Sequence, residues 1–483
     1  MNYLACDLGA ESGRLMLGRL GNGRISLEEV YRFPNVPLQV NGSLCWDIAA
    51  LWSEFQNGLR KAGALGIPIH SISTDSWGLD YVLLDASDKL IEPTFHYRDS
   101  RTTRGVANLT TKIDWPTLFG ETGIQFMPIN TVYQLAAESP ERLKRARKLL
   151  MIADAFNFFL SGVPRSEESL ASTSAIYNPR TRGWSPKVIG ALEMPADVFA
   201  PIVHSGSSLG SLKPKIRDET RLANINVLAS CSHDTGAAVA AVPACGASWA
   251  YISSGTWSLM GVERTQPVLT DACRELNFTN EIGFAGTVRL LKNIVGLWIV
   301  QECRREWARQ DRDHDYATLT QKAAAAPPLR PLINPADPRF IAPGDMPKRI
   351  SDYCVESGQM PPDGVGETVR CALESLALQY RRSLREIERL TGERIGQLHI
   401  VGGGSQNQLL NQFTANATGI PVIAGPVEAT ALGNITVQAI TSGELSSLED
   451  ARALIAASFE MEIFEPQKQE LWDSAAARFE KLK

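Results

Sequence analysis

The residues best placed to do chemistry form one short run, Ser232-His233-Asp234-Thr235-Gly236. An apolar stretch at 225–230 precedes it and a small-residue run at 237–241 follows it. That pattern puts Asp234 where a strand hands over to a helix, the place where α/β folds present reactive groups. Asp234 is there a candidate proton acceptor, although Asp is also a preferred helix N-cap. Two further stretches carry the chemistry of anion binding. Gly9-Ala10-Glu11-Ser12-Gly13-Arg14 and Ser253-Ser254-Gly255-Thr256-Trp257-Ser258 are small-residue turns between short apolar runs, one in each half of the chain. Such turns bring backbone N–H groups, hydroxyls and, in the first, a guanidinium to an anion. Neither contains the Lys of GxxxxGK[ST], so neither is a P-loop. An acid between two phosphate-binding hairpins is what phosphoryl transfer to a small molecule requires. Taken singly, each hairpin also reads as an ordinary turn.

The surrounding elements follow from periodicity. Residues 3–8, 15–19 and 26–33 read as a meander of strands, and 46–61 as a helix with apolar positions Ile48, Leu51, Trp52, Phe55 and Leu59. Strands at 69–74 and 81–84 flank Asp75-Ser76-Trp77-Gly78-Leu79-Asp80, where an indole could lie against a sugar ring or belong to the core. The polar stretch 96–101 suits either recognition or a surface turn. In the apolar run 149–159, Asp154 reads as a cap, and 165–215 as a loop-rich insertion. In the second half a strand at 288–294 leads past Asn293 into a helix carrying Gln301. Val369, Leu373, Leu376, Tyr380, Leu384, Ile387 and Leu390 mark an amphipathic core helix. Gly402-Gly403-Gly404 lies between strand 397–401 and a helix from Leu409, so a flat group such as adenine can approach the backbone closely. It does not fit GxGxxG, because Asn407 stands in the last position. The tail after Gly443 reads as helix.

A chain of 483 residues is too long for one ordinary core, and the expected division is 1–244 and 245–483. With 44% hydrophobic and 21% charged residues the composition is that of a soluble globular protein. A formal charge of -5 leaves no basic footprint for nucleic acid. The uncharged stretch 235–262 is broken by Pro243 and Gly246 and is not read as a membrane span. The start of the chain lacks the features of an export signal, so the expected address is the cytoplasm and the eight cysteines are expected to be thiols.

The chain resembles the FGGY carbohydrate kinases through CDLGAESGRLMLGRL (6–20), STDSWGLDYVLLD (73–85), YRDSRT (97–102), TGIQFMPINTVYQL (122–135), SHDTGAAV (232–239) and YISSGTWSLMG (251–261). LKNIVGLWIVQ (291–301), INPADPRF (333–340), LHIVGGGSQN (398–407) and GPVEATALGNI (425–435) extend it over essentially the whole length. The resemblance implies an α/β fold of two actin-like (ribonuclease-H-like) ATPase domains with an interdomain cleft. It implies Asp234 as proton acceptor, and ATP held by Ala10, Glu11, Ser12, Gly13, Arg14, Thr256, Gln301 and Gly403. The sugar is expected at Gly78, His233, Asp234, Thr235 and Asn293, and Mg²⁺ at Asp7 through water. The expected acceptor is a ketose, L-rhamnulose, phosphorylated on its C1 hydroxyl. No nucleic-acid or membrane partner is expected, and the chain is expected to be a monomer or small homo-oligomer. Glu11 stands where relatives often have Ser. A cysteine pair that relatives carry is replaced by Thr414 and Thr418, while Cys354 and Cys371 remain, as a possible bridge or as thiols. The rival readings are another ketose, a non-catalytic ATP- or sugar-binding protein, and an ATP-dependent polymer.

Overall fold

A computed structural model of the chain describes residues 1–482. Strand β1 (Asn2–Leu8) turns back through residues 9–11 into β2 (Ser12–Gly21), and β3 (Arg24–Pro34) completes an antiparallel meander. Ser12, Gly13 and Arg14 therefore belong to a strand, and only Gly9, Ala10 and Glu11 form the turn. Strand β4 (Ser71–Ser76) lies parallel to β1, and β5 (Ser207–Ser211) and β6 (Asn226–Ala229) finish a six-stranded sheet in the order β5-β6-β4-β1-β2-β3. All six β4 residues are buried, so β4 has no solvent face and reads without alternation. Helix Ile48–Ala64 covers one face. Asp47 starts it by accepting from the Ala50 N–H at 2.9 Å, and Leu51, Phe55 and Leu59 pack with Leu15, Leu17 and Phe33.

The second sheet repeats this path. Strands β7 (Trp249–Ser254) and β8 (Trp257–Arg264) form the hairpin, and β9 (Val288–Val295) adds beside β8. Strand β10 (Gln397–Val401) lies parallel to β7, β11 (Val422–Ala424) parallel to β10, and β12 (Glu462–Phe464) antiparallel to β11. A seventh strand, Thr279–Ile282, lies outside β9 at the sheet edge, and from β9 inward the order β9-β8-β7-β10-β11-β12 matches β3-β2-β1-β4-β6-β5 of the first sheet. The edge strand precedes its neighbour in the first sheet and follows it in the second. Helix Gly364–Thr391 buries Val369, Leu373, Leu376, Tyr380, Leu384 and Ile387 of the expected stripe, while Leu390, in its last turn, is only half-buried.

By contact the chain divides into Met1–Cys245 with Glu263–Leu290 and Ala429–Ser458, and Gly246–Val262 with Leu291–Glu428 and Phe459–Lys483. The tail departs from the helical expectation, because β12 stands between helices Leu448–Ser458 and Gln469–Phe479. The stretch 165–215 is a run of short elements that also contributes β5 to the sheet. All eight cysteines are free.

Candidate active site

In the first unit, β6, β4 and β1 run parallel and end side by side. The Ser76 N–H donates to the Ser232 carbonyl at 2.9 Å, and the Trp77 N–H to the Leu8 carbonyl at 3.1 Å. The three acids at these ends are Asp7, Asp75 and Asp234. Asp7 and Asp75 are register partners across β1 and β4. Asp75 is fully buried in β4, not in the following loop as its sequence context suggests. Its Oδ2 accepts from Asn434 Nδ2 at 2.5 Å, and its buried Oδ1 has no hydrogen-bond partner. Burial pushes the Asp75 carboxyl well up and the Asp7 charge adds to this; the Asn434 bond opposes it. Asp7 forms an ion pair with the Arg14 guanidinium from the neighbouring strand.

Asp234 opens helix Asp234–Ala240 without capping it. His233 occupies the cap position, and Asp234 Oδ1 accepts from the N–H of the next residue, Thr235, at 2.5 Å and from its Oγ1 at 3.2 Å. His233 Nε2 approaches the same Oδ1 at 3.4 Å. These contacts all fall on Oδ1, and the side chain remains 29% exposed. Burial raises the carboxyl above its ordinary range, His233 pulls it down and Asp7 pushes it up. The helix is pinned by helix Ala429–Thr441, which also supplies Asn434. A Cβ on Gly433 would lie 1.8 Å from the Ala237 carbonyl oxygen, so only glycine permits this approach.

The chain before Asp234 is held by a residue that the sequence did not single out. Glu167 Oε2 accepts from the N–H groups of Ser169 (3.0 Å), Leu170 (3.1 Å) and Ser232 (3.1 Å) and from Ser169 Oγ (2.5 Å). Its Oε1 accepts from Ser205 Oγ at 2.5 Å. Ser169 Oγ in turn accepts from the His233 N–H at 3.1 Å. Glu167 lies in the stretch read as an insertion, where no periodicity marks it. Asp154, expected as a cap, sits inside helix Ile152–Ser161, and its Oδ1 accepts from the Glu167 N–H at 3.1 Å.

Other sequence candidates resolve into architecture. Trp77 is buried against Trp46, with ring centroids 4.6 Å apart. Asp80 accepts from the indoles of Trp46 (2.6 Å) and Trp77 (2.9 Å) and from Gln134 Nε2 (3.0 Å). Burial lifts its carboxyl to about 6 against those bonds. Gly78 follows β4, with Thr173 beside it. In the stretch 96–101, His96 stacks on Trp46 at 4.1 Å and Asp99 Oδ2 accepts from the Leu44 N–H at 2.6 Å. Arg101 donates to the Gln134 carbonyl at 3.0 Å, so the stretch is largely internal.

In the second unit the turn between β7 and β8 meets two other segments. The Leu297 N–H donates to the Gly255 carbonyl at 3.2 Å and the Trp298 N–H to the Thr256 carbonyl at 3.1 Å. This joins Thr256 to helix Trp298–Arg309, which carries Gln301 with its Oε1 buried and unpartnered. The glycine turn packs on Ser254. A Cβ on Gly404 would come within 2.1 Å of Ser254 Oγ, and one on Gly402 within 3.0 Å of its carbonyl oxygen. A Cβ on Gly403 would meet nothing within 4 Å. That leaves Gly403 open to a ligand while its neighbours are fixed by packing. Asn293 lies within β9 and not at the helix start.

Residues 2–241 match the N-terminal domain of the FGGY family of carbohydrate kinases, and residues 250–442 match its C-terminal domain. The chain is 43% identical over 481 residues to a rhamnulokinase of Bacteroides thetaiotaomicron, covering 99% of this chain and 98% of that one. It is 41% identical over 466 residues to a rhamnulokinase of Enterococcus faecalis, covering 96% and 94%. In fold it is similar to a xylulose kinase from Lactobacillus acidophilus, with a TM-score of 0.82 at 14% identity, covering 99% of this chain and 96% of that one. It is also similar to a glycerol kinase of Plasmodium falciparum crystallised with ADP, with a TM-score of 0.80 at 14% identity, covering 99% and 97%.

Proposed function

The chain belongs to the FGGY family of carbohydrate kinases, and from that premise we propose that it transfers the γ-phosphoryl group of ATP to the C1 hydroxyl of L-rhamnulose. The products are L-rhamnulose 1-phosphate and ADP. The single observation that carries the site assignment is Asp234, whose hydrogen bonds to Thr235 fall on Oδ1 and whose side chain stays 29% exposed at the ends of three parallel strands. In the reaction the C1 oxygen forms a bond to the γ-phosphorus as the bond from that phosphorus to the bridging oxygen breaks. The hydroxyl proton passes to Asp234 Oδ2, and ADP carries off the electron pair. A loose transition state asks for little proton transfer before bond formation. Positioning and charge stabilisation then carry most of the acceleration.

The first half, 1–244, carries the base and the sugar contacts Gly78, His233 and Thr235 in this reading, with Asn293 added from the second half. Residues 245–483 supply Thr256, Gln301 and Gly403 to ATP, and Ala10, Glu11, Ser12, Gly13 and Arg14 contribute the other phosphate hairpin. Gly403 supports this assignment through its open Cβ position. Mg²⁺ fits Asp7 and Asp75. Two register-paired carboxylates, one with an unpartnered buried oxygen, suit a cation. Among the described residues no three His, Cys, Asp or Glu side chains group as a metal cage. Mg²⁺ is ordinarily held by one or two carboxylates, water and phosphate, so a cage is not needed. When bound it neutralises phosphate charge. No helix among the described residues is long and apolar enough to cross a membrane, and a cytoplasmic enzyme using the ATP pool accords with the reading.

The test is coupled ADP release with Mg·ATP and L-rhamnulose, beside L-fuculose, D-xylulose and glycerol, for wild type and Asp234→Ala. Preference for L-rhamnulose, lost in the variant, is the expected result. Preference for another acceptor discards the substrate, and turnover retained by the variant discards the base.

A further inference from the structure

His233 stands next to the proposed base, and two buried side chains outside the sequence motifs hold its ring. Arg289, fully buried in β9, places Nη2 3.0 Å from His233 Nδ1. The same Nη2 is 3.1 Å from Glu281 Oε2 and 3.3 Å from the Ile282 carbonyl oxygen. Glu281 Oε2 lies 3.3 Å from His233 Nδ1. The backbone end of His233 is fixed separately, by its N–H on Ser169 Oγ at 3.1 Å. All of these residues belong to the first unit.

The hydrogens decide the chemistry. A guanidinium carries donors and no acceptor. If Nδ1 bore a proton, that N–H would face an Arg289 N–H across 3.0 Å, an arrangement with two hydrogens and no lone pair between them. The alternative partner for an Nδ1–H, Glu281, is farther away and already holds Arg289 at 3.1 Å. Glu281 Oε2 and Arg289 Nη2 form an ion pair at 3.1 Å inside the fold, so the guanidinium has a charged partner of its own. The consistent assignment is Nδ1 as acceptor of Arg289 and a proton on Nε2. That Nε2–H is 3.4 Å from Asp234 Oδ1, beyond ordinary hydrogen-bond length, and that oxygen already accepts twice from Thr235.

We infer that Arg289, backed by Glu281, is a positioning residue that fixes the tautomer of His233, so that Nε2–H stands beside Asp234 as a donor to an oxygen of the acceptor sugar. The inference deepens the kinase reading and rests on it for the identity of the ligand. It gives the site a paired polarity, with Asp234 Oδ2 accepting the proton of the attacking hydroxyl and His233 donating to a neighbouring oxygen. A site that spends a buried donor in this way discriminates strongly against an acceptor lacking the matching oxygen.

The tautomer is read directly by long-range ¹H–¹⁵N spectra of the full chain labelled with [¹⁵N]histidine. There are six histidines, and His233 is identified by its loss in His233→Gln. The expected signature is a neutral ring protonated on Nε2 with Nδ1 as acceptor. A ring protonated on Nδ1, or on both nitrogens, overturns the inference. Kinetics add a second readout. Arg289 is replaced together with Glu281→Leu, so that no buried charge is left alone and no new amide donor faces Nδ1. Arg289→Gln retains an amide donor for Nδ1, and Arg289→Met does not. The Met pair should lose the tautomer and fall about tenfold in kcat/KM for the sugar with KM for ATP unchanged, the loss expected of one hydrogen bond. The Gln pair should stay near wild type. Equal loss in both pairs, or an unchanged tautomer in the Met pair, assigns Arg289 a purely structural role and overturns the inference. If either pair fails to fold, the wild-type spectrum decides. A wild type that phosphorylates no sugar sinks the kinase reading, while the spectrum still reports the tautomer.

Discussion

Replacing Asp234 with Asn keeps the side chain's size and lets its amide oxygen keep the Thr235 bonds of Oδ1, at 2.5 and 3.2 Å. It removes only the ability of the second atom to take a proton. A positioned general base is worth about 10²- to 10⁴-fold, or about 3–5 kcal/mol in barrier height. Because a loose transition state transfers the proton late, the expected fall in kcat is near the lower end, about 10²- to 10³-fold, with KM for ATP unchanged. The pH profile supplies an independent readout. Burial is the largest influence on the carboxyl, with His233 opposing it and Asp7 adding, and the net direction is upward. The acid limb of kcat/KM should therefore lie above the ordinary carboxylate range in the wild type and disappear in the variant. Stability should move the other way. A group whose carboxyl is raised on folding stabilises below its unfolded pKa and loses that contribution as pH rises through the folded value. At neutral pH the ionised Asp234 is thus a cost, and Asp234→Asn should melt no lower than wild type. Coupled ADP release from pH 5 to 9 and thermal denaturation measure both. A variant keeping more than about a tenth of wild-type turnover, or still showing the acid limb, would refute Asp234 as the base.

Asp75→Asn removes a buried carboxylate raised by burial and by Asp7. By the same sign, its stability gain should be larger at pH 8 than at pH 5 in thermal melts, while phosphoryl transfer falls and its Mg²⁺ dependence weakens. Equal gains at the two pH values would count against an ionised Asp75. In the glycine turn, Gly404→Ala would press a Cβ to 2.1 Å from Ser254 Oγ and should cost about 1–3 kcal/mol in urea unfolding. Gly403→Ala meets nothing within 4 Å, so it should melt like wild type yet raise KM for ATP; an unchanged KM moves the nucleotide elsewhere. Glu167→Gln turns an acceptor surrounded by donors into a partial donor. It should cost about 1.5–3 kcal/mol and lower kcat through the 232–234 loop, with KM for ATP unaffected, as melts and steady-state kinetics would reveal.

Much of this protein could be read along the chain. Local pattern located the opening meander, the hairpin at β7 and β8, the long amphipathic helix and the strand-to-helix step at Asp234, because each depends on neighbours a few residues away. The small-residue run after Asp234 announced a closely packed helix, and the approach of Gly433 to the Ala237 carbonyl bears that out; the glycines at 402–404, read as room for a flat group, pack on Ser254 at Gly402 and Gly404. What pattern could not supply was the partner across the fold. Asp75 and Asp80 look alike around Trp77, yet one ends a buried strand beside Asp7 and the other holds two indoles. Asp154 has a cap's local surroundings but spends its oxygen on the Glu167 backbone. Glu167, Glu281 and Arg289 carry no periodic or motif signal, because the contacts that tie them to the 232–234 loop cross the fold, from Glu167 to Ser232 and from Arg289 to His233. Strand β12 escaped notice for the same reason, since three residues extend only by pairing with β11. Sequence alone determined which segments could form the elements and which residue types could do the chemistry. Burial, register and long-range pairing exist only once the chain has folded, and they decided which carboxylate stands partly exposed at the strand ends, which became a structural acceptor, and how the histidine beside Asp234 is held.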